Sequence, residues 1–444
     1  MTDTRGTPNA GLFGATLGFF VGFAAVSLFG PTAGKFKEVM SLSPVLVGLL
    51  VAAPALSGSL LRIPFSAWVD TTGGRKPFLV LLILSIVGMG GLWAVVFFLY
   101  PDHLSQSLYP LLLLLGVLSG CGIATFSVGI SQVSYWFPQS KQGWALGTYA
   151  GVGNLAPGLF SFLLPLALAA WGLAGSYSAW LLFLIAGTWL YAVTGRNAWY
   201  FQLLKRGRTP SEAREVAQER GQELFPAGSM TATLAISART WKTWALVVIY
   251  FTTFGGFIAL TAWFPTYWKS FFAVSSVMAG GLTALYSILT SAIRVPGGSV
   301  ADRIGGENTA VLSLLTMLVG AALMTLSHQF AVCVTGVVLL GIGMGVANAA
   351  VFKMVPQEVP EAVGGAAGWV GGLGAFGGFA IPPLMGLFVR NLGTIGYARG
   401  FVIFILLAIC SLILAGVLKR AHASTEVRAG VVAAGQAAQG SSDV

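Results

Sequence analysis

Apolar residues run in twelve long blocks along this chain, at roughly 11–32, 44–68, 78–100, 108–134, 143–168, 177–195, 244–267, 275–300, 309–327, 330–352, 362–388 and 398–418. A helix needs about 20 such residues to cross the hydrocarbon core of a bilayer, and each block reaches or approaches that length. The alternating segments of about ten residues that mark a membrane barrel do not occur. The pattern predicts an all-α membrane protein of twelve transmembrane helices. The first block is too long for the core of a secretory leader and has no small-residue cleavage pattern, so it reads as a span. Composition sharpens this: 56% of residues are apolar and only 9% charged, where a soluble domain carries roughly a quarter. A soluble enzyme, a disordered chain and a nucleic-acid-binding module are excluded.

The net charge of +10 is explained by where the charges fall. Twelve spans put both termini on one side. With that side cytoplasmic, 17 basic residues lie inside and 5 outside, from Arg5 and the Arg75-Lys76 pair to Lys419 and Arg420. This is the positive-inside arrangement of a multi-pass protein of the inner (cytoplasmic) membrane. Two of the 24 Lys and Arg residues are left over, Arg62 and Arg294, and both stand within spans. No acidic residue accompanies them. Asp70 and Asp302 each follow an embedded Arg by eight residues, at the cytoplasmic exit.

The chain divides into an N-terminal six-helix half (1–195), a polar and basic linker (196–243), a C-terminal six-helix half (244–420) and a cytoplasmic tail read as disordered (421–444). In the linker, Thr209-Pro210-Ser211-Glu212 has the form of a capping box, which predicts a short amphipathic helix through about Leu224. The halves repeat each other. Arg62-Ile-Pro64, Asp70 and Gly73-Gly74 return as Arg294-Val-Pro296, Asp302 and Gly305-Gly306 at the same spacing. Gly147, Gly151 and Gly153 of the fifth span return as Gly368, Gly372 and Gly374 of the eleventh. Two related six-span halves are the architecture in which substrate sits at midplane between them and the halves rock around it.

An Arg at the bilayer centre costs at least about 2.5–3.5 kcal/mol, and such residues face a cavity on a substrate path. Arg cannot shed its proton to escape that cost. With no carboxylate nearby, the partner of Arg62 and Arg294 is expected to be a mobile anion. The guanidinium fork suits a planar oxyanion better than an ammonium would. Two unit charges about 6 Å apart in an effective dielectric near 20 repel by about 3 kcal/mol, so a bound monoanion should ease closure of the halves and favour exchange over net transport. Proton coupling is the competing mechanism, and the spans offer it no central Asp, Glu or His. Cys121, Cys333 and Cys410 lie apart without metal-site spacing and read as small core residues. No metal, cofactor or enzymatic constellation emerges.

The loop Asp70-Thr-Thr-Gly-Gly74-Arg75-Lys76, with Asp302-Arg303-Ile-Gly-Gly306 in the second half, resembles the signature loop of the major facilitator superfamily. Within it, Ala150-Gly-Val-Gly-Asn154-Leu and Gly371-Gly-Leu-Gly-Ala-Phe-Gly-Gly378 resemble the paired signatures of the nitrate/nitrite porter family, as do Tyr250 to Ile258 and Phe352 to Pro356. The resemblance implies a nitrate or nitrite carrier of the major facilitator fold with one essential Arg in each half, and the chain is expected to work as a monomer. It implies Phe126, Asn154, Tyr250 and Phe254 as substrate contacts, although ordinary packing accounts equally well for a lone Phe among 30. It implies Gly151, Gly153, Gly372 and Gly374 as signature positions. Asp70 and Asp302, at the cytoplasmic exits, read as latches of the inward gate that pair with loop cations or a helix end. A small-carboxylate exchanger of the same superfamily stays open as an alternative.

Overall fold

The computed structural model describes residues 4–226 and 230–440; the side chains at 139, 140, 142, 143, 230 and 423–440 fall outside the described set. Among the described residues eleven helices are long and apolar enough to cross a membrane: Pro8–Ser27, Pro44–Thr72, Arg75–Leu99, Gln106–Ser134, Trp144–Thr194, Trp241–Phe272, Ser276–Ile304, Gly306–Leu326, Phe330–Glu358, Pro360–Arg399 and Val402–His422. The fifth, at 51 residues, would extend about 75 Å if straight. It turns back at Gly172, whose φ of +65° suits a residue without a Cβ. It therefore makes two crossings, and the spans number twelve. The side that carries the start of the first span is called the terminal side below, and the opposite one the distal side.

Local sequence explains where the spans start and break. Ser43 and Ser275 cap the second and eighth spans through the amides of Leu46 and Met278. Both spans break one residue before their Arg, after Leu60 and after Ala292. The cause is the proline two residues beyond each Arg. Pro64 has no N–H for the Leu60 carbonyl, and Pro296 none for that of Ala292. The seventh span carries a π-helical turn at Phe251–Gly255, and the fourth a 3₁₀ turn at Gly120–Ala124. The fifth and eleventh spans break at Asn154 and Phe376. Helix irregularities thus gather at one depth in both halves, as expected around a midplane site.

Across the halves, the distal side is shut by close backbone packing. Gly48 lies against the carbonyl of Pro382, Gly386 against that of Pro44, and Gly280 against that of Ser161. A Cβ on Gly30 would come within 2.7 Å of the Ala262 oxygen. Small residues allow such approach. The terminal side instead holds a cavity of about 410 Å³ between the fourth and fifth spans on one side and the eighth and tenth on the other.

The linker differs from its expected form. The capping-box helix is present but spans Pro210–Glu219, ending short of Leu224, and two further helices flank it, Trp199–Lys205 and Met230–Arg239. The last of these packs on the eleventh span. Trp369 donates to the Leu234 carbonyl at 3.0 Å, and Gly365 lies against the Thr233 carbonyl. The last span continues as helix to Gly440; the side chains of the tail expected at 421–444 fall, beyond His422, outside the described residues.

Candidate functional site

The two breaks point Arg62 and Arg294 at one aromatic cluster. Arg62 is 1% exposed. Its Nε donates to the Gly58 carbonyl at 2.9 Å, and Nη1 crosses to the other half to donate to the Gly371 carbonyl at 3.1 Å. Its Nη2 is buried without a partner. Arg294 is half-buried and lines the terminal-side cavity; its Nη1 is likewise buried without a partner. Among the described residues neither guanidinium is paired with a carboxylate.

Aromatic rings separate and flank the two cations. The Arg62 guanidinium lies 4.8 Å from the centroid of Phe126 and 5.1 Å from that of Phe254. The Arg294 guanidinium lies 6.0 Å from the same Phe254 ring and 5.9 Å from Phe352. Such contacts stabilise a desolvated cation by about 2 kcal/mol. Phe254 stacks on Tyr250 at 4.8 Å with their planes 9° apart, and on Phe126 at 5.9 Å. Tyr250 turns its hydroxyl toward Arg294 without closing a hydrogen bond of good geometry. The result is a buried, ring-walled pocket whose spare polar groups are mostly donors, which is the chemistry of a small anion site.

Of the residues singled out in the sequence, Arg62, Arg294, Phe126, Tyr250 and Phe254 come together here. Asn154 stands at the break of the fifth span, where its backbone carbonyl accepts from Ser291 of the eighth at 3.0 Å. Its side-chain oxygen is buried without a partner and bonds to neither guanidinium. The signature glycines serve the site at one remove. Gly153 leaves room for the ring of Phe19, and Gly374 for that of Tyr250, 2.7 Å from where its Cβ would be. Phe19 meets Phe23 at 4.9 Å with the planes tilted by 41°, whereas Tyr250 and Phe254 are stacked. Gly372 accommodates Ile63, whereas Gly151 faces the cavity. Asp70 accepts from the Tyr135 hydroxyl at 2.6 Å, and Asp302 pairs with Lys353 at 2.9 Å. Both aspartates are thus held within their own half, by a neutral hydroxyl in the first and a cation in the second.

Three groups were not singled out in advance. The Gly371 carbonyl, which accepts from Arg62, carries no sequence signal of its own. Tyr149 buttresses Phe126 by donating to the carbonyls of Thr125 and Phe126 at 2.9 and 3.0 Å; it stands two residues before the Gly151 signature. Phe352 lies in a run already noted for its resemblance, but with no role attached to it.

Comparison with known proteins identifies the family. The Major Facilitator Superfamily description matches residues 15–283 and again 270–437. Among curated relatives, the "Probable nitrate/nitrite antiporter NarK1" of Thermus thermophilus is 31% identical over 89% of this chain and 88% of its own length. The "Probable nitrate transporter NarT" of Staphylococcus epidermidis is 27% identical over 85% and 88%. Among solved structures, the xylose transporter XylE from E. coli in a partially occluded inward open conformation superposes with a TM-score of 0.70 at 15% identity, covering 94% of this chain and 99% of that one. A D-xylose-proton symporter superposes with a TM-score of 0.65 at 15% identity, covering 92% and 97%; at this identity both report on fold alone. With its repeated Arg breaks, its paired glycine signatures and these matches along almost its whole length, the chain belongs to the nitrate/nitrite porter family of the major facilitator superfamily.

Proposed function

We propose that this protein is a secondary active transporter that carries nitrate and nitrite across the cytoplasmic membrane by alternating access, most simply as a nitrate/nitrite exchanger. The observation that carries the reading is that each embedded guanidinium keeps a buried nitrogen without a partner, while no carboxylate pairs with either among the described residues. An unpaired buried charge is costly, and a small planar anion between the two forks would satisfy both donors at once. Phe126, Phe254 and Phe352 would cover its faces. The names of the curated relatives favour the same cargo.

In this reading residues 1–195 and 244–420 are the rocking halves, 196–243 joins them, and the protein works as a monomer. The terminal side is cytoplasmic, in keeping with its excess of Lys and Arg, so the open cavity faces inward. An empty site leaves two cations facing each other across Phe254, which disfavours return without cargo and supports exchange.

The test is uptake of labelled nitrate into vesicles reconstituted with purified protein. Internal nitrite should accelerate uptake strongly, and an imposed proton gradient should not replace it. Uptake driven by the proton gradient with no anion inside would overturn exchange in favour of symport. Preference for a small carboxylate over nitrate would overturn the cargo.

A further inference from the structure

Two adjoining cavities of about 550 and 580 Å³ lie on the terminal side, where the start of the third span, the end of the sixth and the short helix Trp199–Lys205 meet. They share Arg75, Asn197, Phe201 and Lys205; Lys76 lines one, Arg5 and Arg196 the other. No carboxylate lines either. Among the described residues no ion pair involves Arg5, Arg75, Lys76, Arg196 or Lys205. These cations stand on a fixed frame, to which the Arg75 guanidinium is itself tied by one donor, Nη2, bonded to the Ala192 carbonyl at 2.7 Å. The Arg75 amide donates to Asn197 Oδ1 at 2.8 Å, Asn197 Nδ2 donates to the Thr72 carbonyl at 2.9 Å, and Gln132 holds the Arg196 carbonyl at 2.8 Å.

Membrane topology alone places cations on this side, but the internal repeat shows that it does not require this corner. Arg75-Lys76 after Gly73-Gly74 corresponds to Glu307-Asn308 after Gly305-Gly306. In the second half that corner neutralises itself. Glu307 meets Gln357, Lys242 pairs with Glu358 at 2.7 Å, and His422 lies 3.2 Å from the same carboxylate. In the first half, among the described residues, Arg5, Arg75, Lys76, Arg196 and Lys205 have no ion-pair partner. Immediately beyond them the surface turns apolar and outward. Leu79 and Val80 line the cavity rim, and Ile83, Val87, Trp189 and Val193 of the third and sixth spans are each more than half exposed. A ligand that matches both features has an anionic head and hydrocarbon tails, and basic pockets at this membrane depth recognise such head groups.

We propose that this corner binds an anionic phospholipid, its phosphate held by Arg75, Arg196 and Lys205 and its acyl chains lying along Ile83, Val87, Trp189 and Val193. The site is separate from the transport path and fails or stands independently of the cargo. Native mass spectrometry of the purified full-length protein, titrated with cardiolipin, phosphatidylglycerol or phosphatidylcholine, tests it. The anionic lipids should be retained about tenfold more than phosphatidylcholine, and added salt should strip them. The double variant Arg196→Gln/Lys205→Gln should abolish that preference, while Lys419→Gln/Arg420→Gln at the end of the last span should keep it. Should the double variant fail to fold, Lys205→Gln alone must still lower retention. Equal retention of anionic and zwitterionic lipid, undiminished retention by the Lys205 variant, or displacement of lipid by millimolar inorganic phosphate would each overturn the proposal.

Discussion

Two seams join the halves, second span to eleventh and fifth span to eighth, and the internal repeat makes them counterparts. Ile63 and Val295 each follow an embedded Arg, and each faces a signature glycine of the opposite half. At the first seam a Cβ on Gly372 would stand 2.7 Å from Ile63; at the second a Cβ on Gly151 would stand 3.9 Å from Val295. The first seam is also bridged by the bond from Arg62 to Gly371, and helix Met230–Arg239 packs over its terminal end. The second borders the cavity, with open space around Gly147. The same motif thus holds one Arg inside a closed joint and leaves the other at an open mouth. In the proposed mechanism, an anion entering this conformation would pass Arg294 and meet Arg62 last.

The widest gap between the seams should appear on replacing the arginines. Arg62→Lys cannot keep the contacts to Gly58 and Gly371 and also present a fork to cargo. The lost charge-assisted bonds are worth about 3 kcal/mol, which corresponds to a fall of more than about 100-fold in exchange. Arg294→Lys keeps a positive charge at an open site and should raise the half-saturating nitrate concentration more than it lowers maximal rate. Counterflow in vesicles at matched protein content measures both. Equal damage from the two variants, or normal exchange in either, would erase the distinction between clamp and mouth. Phe254→Ala should come next, about tenfold in apparent affinity, since its ring touches both guanidinium groups and each contact is worth about 1–2 kcal/mol.

Glycine substitutions sharpen the contrast with smaller effects. Gly153→Ala drives a methyl into the Phe19 ring and should lower stability by about 1–3 kcal/mol through overpacking, visible as a drop in the melting temperature of the detergent-purified protein. Gly151→Ala meets only Val295, so its melting temperature should stay put. If the fifth and eighth spans close on each other during transport, that variant should nonetheless slow turnover. A Gly151→Ala protein that transports normally would mean that the second seam does not close tightly.

The sequence made the framework legible because membrane physics leaves few choices. Twelve apolar blocks, a charge bias and two uncompensated Arg residues were enough to locate Arg62 and Arg294. Phe126 and Phe254 were identifiable only through family resemblance, since nothing in the pattern separates them from packing phenylalanines. The Gly371 carbonyl and the support from Tyr149 were not legible, because backbone acceptors and second-layer hydroxyls are defined by tertiary approach. Helix Met230–Arg239 escaped for a related reason: its face is matched to the glycines and Trp369 of the eleventh span, not to a strong period of its own.

The smallest expected difference separates Asp70 from Asp302. Asp70 is half-buried and takes a short bond from Tyr135, whereas Asp302 is 77% exposed beside a Lys353 that is 33% exposed. Removing the hydroxyl in Tyr135→Phe leaves a partly buried carboxylate without its donor, at a cost of about 1–2 kcal/mol. Lys353→Gln breaks an ion pair that water already screens, for at most about 1 kcal/mol. Melting temperature in detergent should therefore fall further for Tyr135→Phe. Raising ionic strength should remove most of the difference between wild type and Lys353→Gln, because salt screens the exposed pair, and should leave the Tyr135→Phe deficit intact. Lys353 also follows Phe352, which touches Arg294, so its loss has one route to a larger effect. Exchange that suffers more from Lys353→Gln than from Tyr135→Phe, at unchanged stability, would show that this cation serves the mouth of the site and not merely its neighbouring aspartate.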